Sequence, residues 1–346
     1  MKRWAFRAIA AAIGVLLAMA VLGAADLYLH RKHAATYGVN IWGYRGPALG
    51  RKAAGETRIA VLGGSTAFGY GVRPGDDFPA KLQRVLDGRD GTHVSVANLG
   101  FNSQGVYSFI ATLEDYAFLG PDLVILYEGY NDLTPGALNR ASTRRDSFVF
   151  RWTGYFPILP DIVRERLMMM TSRGATLDDV YRDRARQAQG NPPKTVFHVP
   201  DASGRATDAA VAEASHVIES LRRQVGALSQ PNPAAVTSAE CNQAVERRWY
   251  CELMSKAIEY ARAKGERVLV IGQPTISDLH VQQQSALRQM IAATFGRDDR
   301  VSYFDVGRAL NLTDRALAYD GMHLTAAGTD RLVQIVTTPV LRALGR

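Results

Sequence analysis

Ser65 stands in Gly63-Gly64-Ser65-Thr66, directly after the apolar run Ile59-Ala60-Val61-Leu62. A run of this kind ending in glycines reads as a buried strand that turns at its carboxyl end, where open α/β sheets bind ligands. A serine hydroxyl is a weak nucleophile near neutral pH and needs a base within hydrogen-bond reach. Asp320-Gly321-Met322-His323 supplies one near the C-terminus. An imidazole titrates close enough to neutrality to take the serine proton and return it, which is the role expected of His323. Asp320, three residues earlier, is spaced to accept from the other ring nitrogen, fixing the tautomer and stabilising imidazolium. Charge developing on a carbonyl oxygen also needs hydrogen-bond donors. Three candidates are the backbone N–H of Ser65, the backbone N–H of Gly100 in Asn98-Leu99-Gly100-Phe101, and the amide of Asn131 in Gly129-Tyr130-Asn131-Asp132. Together these residues point to acyl transfer through an acyl-serine.

Each block alone has an ordinary explanation. Gly-Gly-Ser-Thr is a common turn with a helix cap, Asp-Gly a common turn, and a glycine such as Gly100 relieves backbone strain. Their joint order, each after a predicted strand or before a predicted helix, is what favours a functional site. His93, His198, His216 and His280 have no such context and read as surface or structurally satisfied residues. Gln273-Pro274 ends a predicted strand near the site, where a substrate contact and a structural loop fit equally.

The elements that must carry these blocks follow from hydrophobic periodicity. Strands are predicted over 58–62, 93–97 and 123–127, with helices over 78–86 and 104–119 between them. This βαβαβ rhythm predicts a parallel sheet covered by helices. It lapses over 134–264, where helical patterns at 161–170, 175–189, 209–228 and 240–264 alternate with prolines. That stretch reads as a largely helical insertion, a lid beside the site, with Met168-Met169-Met170 fitting packed core better than contact with lipid or a flexible ligand. The rhythm returns with a strand at 267–271, a helix at 281–295, a strand at 301–306 and a helix at 325–344.

The N-terminus differs in kind. Lys2, Arg3 and Arg7 precede residues 8–25, which carry no charged side chain. As a helix that run spans about 27 Å at ~1.5 Å per residue, close to the ~30 Å of a hydrocarbon core. The basic start places the N-terminus in the cytoplasm and the rest of the chain outside it. A retained anchor over 1–29 and a cleaved signal peptide ending near Gly23-Ala24-Ala25 both fit, and the length favours the anchor. Residues 30–54 read as a connector and 55–346 as the main domain. Net charge is +8. Three of those charges belong to the N-terminal segment, so the remainder is only mildly basic and gives no sign of a nucleic-acid partner. Cys241 and Cys251 are the two cysteines. In one continuous helix they would lie about 15 Å apart, too far to bridge, whereas a bend between them would permit a disulfide in an oxidising compartment. Without a nearby histidine they make a poor zinc site.

The four blocks, in this order, resemble those of the SGNH (GDSL-type) hydrolase superfamily. The resemblance covers about 57–135 and 265–335 and leaves the insertion outside it. The common Gly-Asp-Ser is here Gly63-Gly64-Ser65. It implies a flavodoxin-like three-layer α/β/α sandwich, no metal or cofactor, and hydrolysis or transfer of ester-linked acyl groups. With the export signal, it leads us to expect a serine esterase anchored in the cytoplasmic membrane and facing the periplasm. The expected substrate is an O-acyl, often O-acetyl, group on extracytoplasmic carbohydrate. Transfer of the acyl group to a sugar hydroxyl, a lysophospholipase-like activity, and a non-catalytic role in polysaccharide export are the competing readings.

Overall fold

Short runs rich in valine, isoleucine and leucine build the centre of the protein, as strands buried on both faces must. In the computed structural model, residues 2–102, 104–133, 144–160, 162–163 and 239–346 are described. In chain order the main elements are α1 (Lys2–Tyr37), β1 (Thr57–Gly63), α2 (Ser65–Phe68), α3 (Phe78–Leu86), β2 (Val94–Asn98), α4 (Phe109–Asp115), β3 (Leu123–Tyr127), α5 (Phe148–Thr153), α6 (Val245–Ala263), β4 (Arg267–Pro274), α7 (Asp278–Phe295), β5 (Val301–Gly307) and α8 (Ala326–Ala343). The strands form one sheet in the order β2-β1-β3-β4-β5, every neighbouring pair parallel.

The pleat sends alternate residues to opposite faces. Ala60 and Leu62 of β1, Val124 and Leu126 of β3 and Val268 and Val270 of β4 pack with Phe109, Leu113, Tyr250, Met254, Leu287 and Met290 of α4, α6 and α7. Ile59 and Val61, Leu123 and Ile125, and Leu269 and Ile271 face the other way, onto Phe78 and Leu82 of α3 and Leu332, Val336 and Val340 of α8. The result is the expected three-layer α/β/α sandwich with a parallel sheet. Helix starts follow local chemistry. Asp77 caps α3, Ser277 caps α7 and Thr325 caps α8, each accepting a backbone N–H from the first turn.

Several expected boundaries shift. The helix predicted over 104–119 is broken into a 3-10 turn at Val106–Ser108, α4, and a second turn at Ala117–Leu119. The break falls at Tyr116, whose hydroxyl donates to the Trp42 carbonyl at 2.6 Å. The connector is built into the sandwich rather than strung before it. Tyr44 enters the core, and buried Arg45 pairs with Asp77 at 3.4 Å and donates to the carbonyls of Gly69 and Val72. α6 belongs to one helical layer, so the sandwich resumes well before residue 265. The patterns at 175–189 and 209–228, Met168-Met169-Met170, His198 and His216 lie outside the described residues.

Cys241 and Cys251 form a disulfide with Cα atoms 6.1 Å apart. Their segment is not one helix. Cys241 sits in the 3-10 turn Cys241–Gln243, and Ala244 is extended before α6 begins, which folds the first cysteine back onto the second. Both are buried beneath α7. Closing a loop of this length restricts the unfolded chain by about 2–3 kcal/mol. Replacing both by alanine is therefore expected to lower unfolding stability by that amount, read from denaturant curves beside the parent. A change within error would mean that the crosslink constrains nothing the fold does not already hold.

α1 is a 36-residue helix. Its segment Trp4–Lys32 is long and apolar enough to cross a membrane, and residues 4–24 of it are exposed, a description that a signal sequence also meets.

Candidate active site

The strand order puts the switch point of the sheet between β1 and β3, because the chain leaves β1 toward β2 and then returns past it to β3. Crevices outside the carboxyl ends of strands at such points bind ligands in open α/β sheets. Ser65 follows β1 as the first residue of α2, and the 3-10 turn Tyr130–Asp132 follows β3. The nucleophile and asparagine blocks are thus neighbours in space although 66 positions separate Ser65 from Asn131.

His323 arrives from the opposite end of the chain, on a loop between β5 and α8. An isolated antiparallel bridge between Ala318 and Leu324 closes this loop. His323 Nε2 lies 2.8 Å from Ser65 Oγ, and Nδ1 lies 2.7 Å from Asp320 Oδ2. The other carboxylate oxygen accepts the backbone N–H of Met322 at 3.0 Å and of His323 at 2.7 Å. Burial pushes the Asp320 carboxyl up, but the His323 ring and these two N–H groups outweigh it and hold it below its ordinary value. Asp320 is therefore an acceptor only, so the neutral ring carries its proton on Nδ1. Nε2 is left with a lone pair facing the serine hydroxyl. Two tyrosines hold the ring: Tyr70 at 4.9 Å between centroids and Tyr319 nearly parallel to it, the Tyr319 hydroxyl donating to the Tyr70 carbonyl at 2.9 Å. The pair remains open to solvent, with His323 and Asp320 side chains 14% and 21% exposed.

The Asn131 amide donates to the Gln104 carbonyl at 2.7 Å. This uses one of its two N–H groups and orients the other. Gly64 is what allows this approach: a Cβ there would lie 2.2 Å from Asn131 Nδ2 and 2.5 Å from Glu128 Oε2. The space that an aspartate side chain would need at position 64 is filled by the Glu128 carboxyl group.

The structure gives Gly100 a different place from the one expected. Its N–H donates to Asn98 Oδ1 at 3.1 Å, and a Cβ would meet the Phe68 nitrogen at 2.5 Å. It lets the end of β2 pack beneath α2, and its donor is already engaged there. Gln273 likewise proves structural. Its amide nitrogen donates to Thr66 Oγ1 at 2.7 Å and its oxygen accepts the Tyr130 N–H at 3.0 Å, tying β4 to both loops of the site. His93 is on the surface beside Asp87 at 2.9 Å. His280 is buried against the Tyr130 ring, and that burial lowers its pKa to about 4, so it is neutral.

A profile of the GDSL-like lipase/acylhydrolase family matches residues 61–331, most of the chain. The chain belongs to that family. None of the curated protein sequences compared with it matches. Among solved structures it is similar to a member of the lipolytic protein G-D-S-L family from Veillonella parvula, at 12% identity and a TM-score of 0.43 over 83% of this chain and 99% of that one. It is also similar to a family 3 carbohydrate esterase from Clostridium thermocellum (13%, 0.42, 84% and 98%). A third is a catalytic mutant of the acetylxylan esterase Axe2 from Geobacillus stearothermophilus (14%, 0.41, 84% and 94%). As a family member the protein is an SGNH-type hydrolase.

Within this GDSL-type site two acids escaped the sequence reading. Burial, and then the neighbouring Asp132 carboxylate, hold the Glu128 carboxyl well above its ordinary value, against N–H groups of Gly129, Asn131 and Gly64 that favour its charge. Asp132 is raised by burial too, although it accepts the Val106 N–H at 3.0 Å. The only signal available was a glutamate directly after an apolar strand, at the strand end that faces the site. An acid whose folded pKa is raised makes the native state bind more protons than the unfolded chain. Stability then falls as pH rises from the carboxylate range into neutrality. Glu128→Gln is expected to flatten that slope in denaturation curves taken across pH. An unaltered slope would show that Glu128 is not the group responsible.

Proposed function

We propose that this protein is a membrane-anchored, extracytoplasmic serine esterase that removes O-acyl groups, O-acetyl above all, from carbohydrate. The observation that carries the catalytic reading is the continuous hydrogen-bonded line from Ser65 Oγ through His323 to Asp320. In this reading His323 Nε2 takes the hydroxyl proton as Ser65 Oγ attacks the ester carbonyl. Asp320 stabilises the imidazolium and is not itself protonated. The Ser65 N–H, unpaired by position at the first turn of a helix, and the free N–H of Asn131 receive the oxyanion. Gly100, its donor held by Asn98, supports the loop from behind. The tetrahedral adduct collapses by breaking the C–O bond to the leaving alcohol, which takes the proton from His323. Water, deprotonated by the same ring, then releases the acid and restores Ser65.

The compartment is supported by the apolar α1 and by the Cys241 to Cys251 disulfide, which persists where the surroundings are oxidising. An exported acyl hydrolase of this kind meets O-acylated envelope carbohydrate. Asn131→Ala is expected to lower kcat on p-nitrophenyl acetate by about 100- to 1000-fold, the cost of one oxyanion donor. A loss confined to KM would assign Asn131 to ground-state binding instead. Substrate class is tested by incubating the full chain with chemically O-acetylated oligosaccharides and measuring free acetate. Acetate release supports the proposal. Acetyl groups found on an added sugar would make the protein a transferase, and no reaction alongside p-nitrophenyl acetate turnover would remove carbohydrate as the substrate.

A further inference from the structure

α1 is locked into the sandwich at its carboxyl half. Asp26 and His30, one turn apart, are only 3% and 5% exposed. The Asp26 carboxylate accepts the Tyr155 hydroxyl and the Leu159 backbone N–H. His30 Nε2 lies 2.8 Å from the Phe156 carbonyl oxygen, and its ring sits edge-on to Tyr155 at 5.6 Å. These bonds hold the segment after α5 against the helix just beyond the exposed apolar residues Val21 and Leu22.

α5 itself has a face that water does not explain. Phe148 and Trp152 are 70% and 76% exposed, with Val149 beside them, while Phe150 alone turns into the core. The two exposed rings lie 5.6 Å apart, one turn along the same short helix. Exposed Arg151 on α5 and exposed Arg31 and Lys32 on α1 add positive charge at the same end of the molecule. Aromatic side chains mixed with basic ones are the composition of a protein surface at the boundary between lipid and water. The chain directly after α5 is bonded to α1 through the Asp26 and His30 contacts, which hold this face close to the helix.

We propose that Phe148, Val149 and Trp152 insert into the headgroup region of the bilayer leaflet from which α1 emerges, docking the sandwich flat on the membrane. The proposal rests on α1 remaining in the bilayer as an anchor. The docked face is coupled to the site. Phe156, bonded to His30, packs edge-on to Phe101 at 6.0 Å, and the Phe101 N–H donates to the Gly63 carbonyl two residues before Ser65 at 3.0 Å. A fixed orientation of α5 on the lipid therefore sets the orientation of the nucleophile toward the membrane surface.

The test uses the full chain reconstituted in vesicles of phosphatidylethanolamine and phosphatidylglycerol. Both native cysteines are in the disulfide, so Val149→Cys accepts one nitroxide while Phe148 and Trp152 stay intact. Leu16→Cys reports on α1, and Arg331→Cys on the exposed side of α8 reports on water. With α5 docked, the labels at 16 and 149 collide more with oxygen than with a water-soluble nickel complex, and the label at 331 shows the reverse order. A lipid reading at 16 with a water reading at 149 overturns the docking and leaves the anchor standing. A water reading at both overturns the two together. Adding Phe148→Ser and Trp152→Ser to the Val149→Cys chain is expected to return that label to water while position 16 stays in lipid. If the label remains in lipid, α1 alone places it and the two rings do not dock.

Discussion

Ser65→Ala is expected to abolish turnover of p-nitrophenyl acetate to within the residual rate of the site, a loss of about 10⁴- to 10⁶-fold in kcat with little change in KM. The expectation follows from the 2.8 Å contact between Ser65 Oγ and His323 Nε2. Alanine removes the atom that forms the acyl bond and leaves the loop intact, because among the described residues that hydroxyl bonds only His323. His323→Ala is expected to cost about as much, and the double variant hardly more than either. Groups that act as one unit are lost together, so their effects do not add. The thermal midpoints of all three chains should stay close to the parent, which separates lost chemistry from lost fold. Folded Ser65→Ala protein with near-parent activity would overturn the assignment of the nucleophile. Additive losses in the double variant would mean that Ser65 and His323 act in separate steps.

Asp320→Asn is expected to lower kcat by about 10⁴-fold while conserving shape. The reason is a constraint on which atom can face the imidazole. One oxygen of residue 320 accepts the N–H groups of Met322 and His323 at 3.0 and 2.7 Å. An asparagine must keep its carbonyl oxygen there, since its amide nitrogen cannot accept. The NH₂ group then points at His323 Nδ1, which becomes the acceptor and moves the ring proton to Nε2. A protonated Nε2 cannot take the proton of Ser65. Asp320→Ala lets the ring choose either tautomer but strips the Met322 and His323 N–H groups of their acceptor, so it is expected to be the less stable of the two variants. The comparison is made with kcat on p-nitrophenyl acetate and with denaturation curves. Parent-like turnover in Asp320→Asn would show that the carboxylate does not orient the base.

Much of this architecture was legible in the linear chain, for reasons that differ by element. Strand cores such as 123–127 were readable because a buried parallel strand needs an unbroken apolar run, and β3 occupies those same residues. α3 was readable because Asp77, Pro79 and the spacing of Phe78, Leu82 and Leu86 all agree locally. The helix expected over 104–119 was overstated: its backbone leaves the helix at Tyr116, whose side chain reaches the Trp42 carbonyl 74 positions away, a partner that no local window shows. The connector misled for the same reason, since nothing in its glycines and prolines announces that Tyr44 and Arg45 are buried. The disulfide stayed undecided in the sequence because ten residues in a helix and ten residues around a bend look alike until Ala244 is seen to be extended.

Residue identity and order alone supplied the candidate groups: a serine after one strand, an amide after another, an aspartate and a histidine three apart near the end. These are local facts, since a strand end or a turn is encoded within a few residues. Tertiary structure decided which of them meet. It joined His323 to Ser65 across 258 positions and turned the Gly100 N–H aside to Asn98. It also set Glu128 into the space left by the side chain that Gly64 lacks. Contacts of that kind depend on how the sheet orders its strands and how closely two backbones approach, and no short window of sequence contains either distance.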